Sequence, residues 1–420
     1  RGGADVVFDT DGKRIGGARM LAVVTLSPGI QGRSYRLPTE RDYEAVWKAQ
    51  KRLKAILNEW EQGGKKGLCP VPDEPLPLMS GTFNVPLYGM NMWSKMFSSR
   101  QLLTLVNLCQ SLKKRSICDM TYPMAAVISR CADYWSSGVV WAQEGEFVAH
   151  TFGRQALPMI FDYAEAVPWA DASGNYDGAI EWVAGVIERQ SVIITGGQVH
   201  QGDARSRMLP DASASVWFTD PPYYFAVPYA DLSDFFFVWL KRSLTSDTLL
   251  RDPTDLKNPL TPKKQELCEM AHWDPVRYAE KDKEYFEDGM YEVFISARHT
   301  LKEDGIGSVV FAHKTTEGWE ALLSGMIRGG WTITGSWPIA TERPGRLRSQ
   351  DSAALATSVH LVCRPRPEDA PVGDWGEVLR ELPKGVGDWM ERLQKEGVRG
   401  ADLVFACIGP ALEIFSRYSR

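Results

Sequence analysis

The stretch Ala214-Ser215-Val216-Trp217-Phe218-Thr219-Asp220-Pro221-Pro222-Tyr223 constrains this chain more than any other. Its first residues have strand character, and two successive prolines then stop the strand, because each fixes φ and removes a ladder donor. Asp220, preceding a proline, is pushed into an extended conformation at the strand's end. One reading is a tight turn out of a strand, with Tyr223 as a core edge. The other is chemical.

The amino nitrogen of adenine or cytosine is a poor nucleophile, because its lone pair is delocalised into the ring. A carboxylate and a backbone carbonyl held rigidly together can each accept one of its N–H bonds, localising the lone pair and aiming it at an electrophile. Asp220 and a backbone carbonyl held beside it meet that description. Pro222 stiffens the same backbone, and Tyr223 offers a ring face for a base taken out of a duplex.

The remaining 410 or so residues set the context on the order of two or three domains. The chain has 420 residues, 44% hydrophobic and 24% charged, with a net charge of −5. No apolar run approaches the roughly 20 residues that span a bilayer, and no signal peptide opens the sequence, so a cytoplasmic protein with no membrane partner is expected. The seven cysteines are scattered, without C-x-x-C or histidines at ligand spacing, which argues against a metal site or a disulfide framework. The net negative charge confines any DNA contact to a local basic patch.

Four regions follow from patterning. Residues 1–78 read as a hairpin (Val6 to Phe8, a turn at Asp11-Gly12, then Met20 to Val24), a helix capped by Thr39 with Asp42 three residues on, and a Gly/Pro-rich linker from Gly63. The absence of an initial methionine leads us to expect a piece of something longer. Residues 79–190 read as a mainly helical insertion, a target-recognition or scaffold region: helices from Ser99, around Ala125 to Ala132, after Thr151–Gln155, and over Ile180 to Glu188. Residues 191–365 alternate: short strands at Val192–Thr195 and Val199–His200, the strand ending at Asp220, a helix near Asp231 to Arg242, another through Phe286 to Leu301, a strand Gly307–Ala312, a helix around Trp319, and two strands joined by a long loop. This predicts an α/β fold with a mostly parallel sheet and one antiparallel strand in a terminal hairpin. Residues 366–420 read as a helical segment.

The order Gly202-Asp203-Ala204, then Asp220-Pro221-Pro222-Tyr223, then strand–helix units resembles the later motifs of class I amino-methyltransferases, whose sheet is Rossmann-like. The longer set Asp220–Tyr224 with Pro228–Phe236, together with Thr151–Tyr163, Ser173-Gly174-Asn175, Gly335–Glu342, Ile408-Gly409-Pro410 and Phe415–Tyr418, is similar to the prokaryotic adenine-specific DNA methylases containing a zinc ribbon. The resemblance implies transfer of a methyl group from S-adenosylmethionine to adenine N6 in double-stranded DNA, in a restriction or phage-defence setting with other subunits such as a helicase or ATPase. It assigns Asp220, Pro221, Pro222 and Tyr223 to catalysis and Gly202, Asp203, Ala204 and Asp220 to the cofactor side. Tyr223 and Tyr224 would face the nucleic acid. Asp203 would accept a hydrogen bond from the cofactor's adenine; the alternative is an aspartate capping a loop. His313 is expected to be structural. Arg343, Arg346 and Arg348, on a Pro/Gly loop, form the best local basic patch for phosphates, or else a solvated loop.

One departure stands out. The glycine-rich loop after the first strand, which cradles the cofactor in this fold, has no counterpart here. The strands it belongs to would lie next to the one ending at Asp220, so a further polypeptide segment or partner chain is expected to complete the sheet. Cytosine-N4 methylation and a non-catalytic, methyltransferase-like scaffold stay open beside adenine-N6.

Overall fold

The computed structural model describes residues 4–419 apart from 28, 30, 31, 80, 81, 115–117, 193, 194, 225, 226, 245–249, 314, 341–356, 399–402, 404 and 405. The chain divides into two compact units, Arg1–Val199 with Tyr229–Lys264, and His200–Pro228 with Gln265–Arg420. The expected catalytic core of residues 191–365 is therefore split, its segment 229–264 folding with the first unit.

The first unit is mainly helical. Two short hairpins open it, β1 (Val6–Phe8) with β2 (Arg14–Gly17) and β3 (Val23–Thr25) with β4 (Ser34–Arg36). The expected pairing of Val6–Phe8 with Met20–Val24 is thus replaced. Asp9 Oδ1 accepts the N–H groups of Asp11 and Lys13, and Gly12 sits at φ 85°, so the turn closes at once and Arg14 already pairs with Phe8. Helix α1 (Glu40–Gln62) starts at Thr39 as expected: the Thr39 N–H and hydroxyl both donate to Asp42 Oδ2 at 2.7 Å, and Val46, Ala49, Leu53 and Ile56 are buried.

Helices α2 (Ser99–Lys113), α3 (Thr121–Tyr134), α4 (Tyr176–Gln190) and α5 (Tyr229–Ser243) complete the unit, with a two-residue hairpin, β5 (Trp141–Ala142) and β6 (Phe147–Val148), between α3 and α4. No helix starts directly after Gln155: residues 156–175 are irregular, and Leu157 donates its N–H to the Thr82 carbonyl. The core is aromatic. Phe235 of α5 stacks on Phe97 at 5.6 Å, and Trp239 meets Phe97 edge-on at 5.2 Å. The expected linker after Gly63 is anchored rather than free: Glu74, 5% exposed, pairs with Lys241 at 2.5 Å and with Arg242 at 2.9 Å. Those two cations, whose position alone marks a helix end, are in fact buried and need that carboxylate.

The second unit holds a four-stranded sheet in the order β7 (Ala214–Thr219), β8 (Leu301–Phe311), β10 (Thr357–Pro365), β9 (Trp331–Ala340). β7 runs parallel to β8, whereas β10 is antiparallel to both β8 and β9, so three strands share a direction and one opposes them. The antiparallel terminal hairpin is as expected, but one of the three pairings is parallel and two are antiparallel, so the sheet is mixed where a mostly parallel one was expected. Helices α6 (Lys283–Thr300) and α7 (Thr316–Arg328) supply Phe286, Met290, Phe294, Trp319 and Leu322 to a core with Val309, Phe311, Trp331 and Leu361. α6 ends at Thr300 and leads straight into β8, so Leu301, expected in the helix, opens the strand and Asp304-Gly305 lies inside it. Helices α8 (Trp375–Lys395) and α9 (Ile408–Ser416) follow, with α9 against β9.

Residues 192 and 195–200 form no strand among the described residues, against expectation, and Val192 and Val199 are 78% and 93% exposed. An isolated apolar strand with no neighbour to pair with gains neither ladder bonds nor burial. No described helix is long and apolar enough to cross a membrane.

Candidate functional site

β7 delivers Asp220 to the carboxyl end of the sheet. The register places Thr219 opposite Val309 and Val309 opposite Leu361, so Asp220 continues into the row of Val310 and His360. Trp217 points into the core, 5.8 Å from Phe294 and 5.2 Å from Trp331 between ring centroids, which fixes the strand two residues before Thr219 ends it. Pro221 is buried behind Asp220 while Asp220 itself is exposed. Packing around the carboxyl raises its pKa by desolvation, and the charge of His360 partly opposes that rise. No hydrogen bond or ion pair among the described residues engages the Asp220 carboxylate, so both oxygens are open to a donor.

The two tyrosines that follow have different surroundings. Tyr223 is half-buried, its ring meeting Phe311 at 5.6 Å and 75°. Tyr224 is 5% exposed, edge-on to Phe286 at 5.1 Å and to His313 at 5.9 Å, and its phenol is pushed up to about 12 by burial. Tyr224 is therefore a core residue, and the expectation that it faces nucleic acid is corrected. Alternation along an extended segment sends neighbouring side chains to opposite sides, and the side facing α6 is the interior.

His313 follows β8 and is buried. Its Nδ1 lies 3.1 Å from the Thr315 hydroxyl, Trp319 Nε1 donates to its carbonyl at 3.0 Å, and burial lowers its pKa. Gly318 is required there: a Cβ would come within 2.4 Å of His313 Nδ1.

Asp203 is not at the end of a strand but in a loop, and its carboxylate is taken. Arg205 donates through Nε at 3.0 Å to Oδ1 and through Nη2 at 2.6 Å to Oδ2, and the Arg205 N–H closes a tight turn onto Oδ1 at 3.0 Å. The guanidinium holds the Asp203 carboxyl below its ordinary range. This is the loop-capping alternative, and Gly202 and Ala204 beside it are exposed. No described strand directly precedes these three residues, and no described strand carries a glycine-rich loop. Arg343, Arg346 and Arg348 lie outside the described residues.

Models of known protein families give no match to this chain. Curated proteins give none either.

Two further residues belong to the site's surroundings. His360 shares the Asp220 row, and Phe218 lies 6.0 Å from His360 between ring centroids. In the run Val359-His360-Leu361-Val362-Cys363, histidine is the only polar residue, which marks the less buried side of the strand. Its link to Asp220 across β8 depends on a pairing that no local pattern encodes. The motif residue Asp234, by contrast, is buried in the first unit and structural: it accepts from the Thr261 N–H at 2.9 Å and pairs with Lys263 at 2.8 Å.

Proposed function

We propose that this chain carries the base-holding half of a DNA amino-methyltransferase acting on adenine N6. One observation supports this most: an unengaged carboxylate, Asp220, stands at the carboxyl end of a strand with a parallel neighbour, on a backbone fixed by Pro221 and Pro222. In this reading Asp220 and the Pro221 carbonyl accept the two amino hydrogens, and the exposed part of Tyr223 takes the face of the flipped base. Asp220 need not be a strong base, since the amine loses its proton readily once alkylated.

The methyl donor implied by the resemblance is S-adenosylmethionine, and its cradle has to come from another segment or a partner chain. The free edge of β7 suits such a completion. Val216 is 65% exposed and Phe218 62%, on a strand hydrogen-bonded on one side only among the described residues. A further strand pairing there would cover that edge. The same site chemistry serves cytosine N4, because both bases present an exocyclic amine.

The Arg205 clamp on Asp203 favours a second reading, a methyltransferase-like subunit that binds DNA or protein without catalysis. Replacing Asp220 with Ala separates the two. Methyl transfer is abolished and DNA binding retained in the catalytic reading, whereas nothing changes in the scaffold reading.

A further inference from the structure

Away from Asp220, the first unit contains a cavity of about 140 Å³ between α3 and α4, lined by Arg130, Tyr134, Ser173, Asn175, Ala179 and Trp182 among others. The Arg130 guanidinium carbon lies 4.7 Å from the Trp182 ring centroid and 5.3 Å from that of Tyr134. Two aromatic rings restrain a side chain that otherwise samples many rotamers, and a planar guanidinium so held still presents N–H donors at its edge. The acid nearest in sequence is occupied elsewhere: Asp133 Oδ2 is 2.9 Å from His150 Nδ1, and His150 Nε2 is 3.1 Å from the Tyr134 hydroxyl. Among the described residues Arg130 takes part in no ion pair.

The wall is built rather than incidental. Gly174, at φ 82°, brings the turn so close that a Cβ would touch Tyr134 at 3.0 Å, and Trp135 Nε1 donates to its carbonyl at 2.7 Å. Asn175 accepts the Gly178 N–H at 2.9 Å, so the start of α4 is capped by its own residue. Trp182, in contrast, is 62% exposed. A tryptophan placed for stability would be expected to bury more of itself.

We infer that this cavity takes the phosphate of a nucleotide unit on Arg130, with the adjoining base stacked on the outer part of Trp182. The volume is well below the roughly 300 Å³ at which pockets enclose a drug-sized ligand, so one group enters and the rest lies across the rim. Arginine edge donors suit phosphate oxygens, and indole is a stacking platform for any base. A mononucleotide and a nucleic-acid strand share this chemistry. The choice of a strand rests on the proposed function.

The test is equilibrium binding of a short oligothymidylate and of adenosine monophosphate to the full chain and its variants, without any methyl donor. Arg130→Ala and Trp182→Ala are expected to weaken oligothymidylate binding about tenfold each. Arg130→Ala should also lower the salt dependence by about one phosphate contact, whereas Arg130→Lys restores that slope and Trp182→Phe restores most of the affinity. Adenosine monophosphate binding as tightly as the oligonucleotide would overturn the strand and leave a mononucleotide site. Oligothymidylate binding that is absent from the unmodified chain, or unchanged in both alanine variants, would overturn the inference. Because the readout is binding, its failure and the failure of methyl transfer at Asp220 are distinguishable.

Discussion

Asp220 carries opposing demands. In the proposed role its carboxylate is ionised to accept an amine's hydrogens, yet its surroundings disfavour the charge. A carboxyl raised on folding binds its proton more tightly in the folded state, so stability is lost as pH rises from the ordinary aspartate range, near 4, through the raised value. Asp220→Asn removes the ionisation, and its thermal midpoint at pH 7 should exceed that of the unmodified chain. The difference should vanish below about pH 4; a midpoint lowered at pH 7 would contradict the account. Asp220 was legible in the sequence because proline chemistry is local. Asp203 was legible only as two alternatives, since the deciding partner, Arg205, acts through a side-chain rotamer that spacing does not fix. Tyr224 is not separable from Tyr223 by pattern, because consecutive aromatics look alike until the interior side is known.

At the scale of elements, helices were read well where an apolar stripe coincided with a cap. Thr39 with Asp42 is the clearest case. Arg36 holds Asp42 in two hydrogen bonds of 2.7 and 2.8 Å, and the carboxyl lies well below its usual range. That contribution is present above about pH 4 and is lost as pH falls through the lowered value. Asp42→Asn should therefore destabilise at neutral pH, with the gap to the unmodified chain closing in acid, as denaturant melts across pH will show. Strand pairing is less legible, as the first hairpin and the strandless described residues 192 and 195–200 demonstrate, because a ladder needs a distant neighbour that no window contains. The Glu74 contact is the extreme case, linking positions more than 160 residues apart. Glu74→Ala removes the carboxylate that Lys241 and Arg242 share, leaving Arg242 only the exposed Asp73, and should cost about 3–5 kcal/mol in chemical denaturation.

At the scale of the molecule, the α/β class and the antiparallel terminal hairpin are legible from alternation, whereas the share of parallel pairing is not. The division into two units was not, because the segment 229–264 returns to the first unit through the aromatic faces of α5. Among the described residues β7 is an edge strand, with Val216 and Phe218 exposed. If the donor's cradle lies in another polypeptide segment, this chain alone should show no tight S-adenosylmethionine binding in calorimetry, and tight binding would remove that part of the account. The central claim concerns Asp220 and is tested most directly by mass spectrometry of nucleosides in DNA from the native host, comparing the unmodified protein with Asp220→Ala. The account predicts N6-methyladenine that disappears with the substitution; N6-methyladenine persisting in Asp220→Ala, or lacking in both, would contradict it.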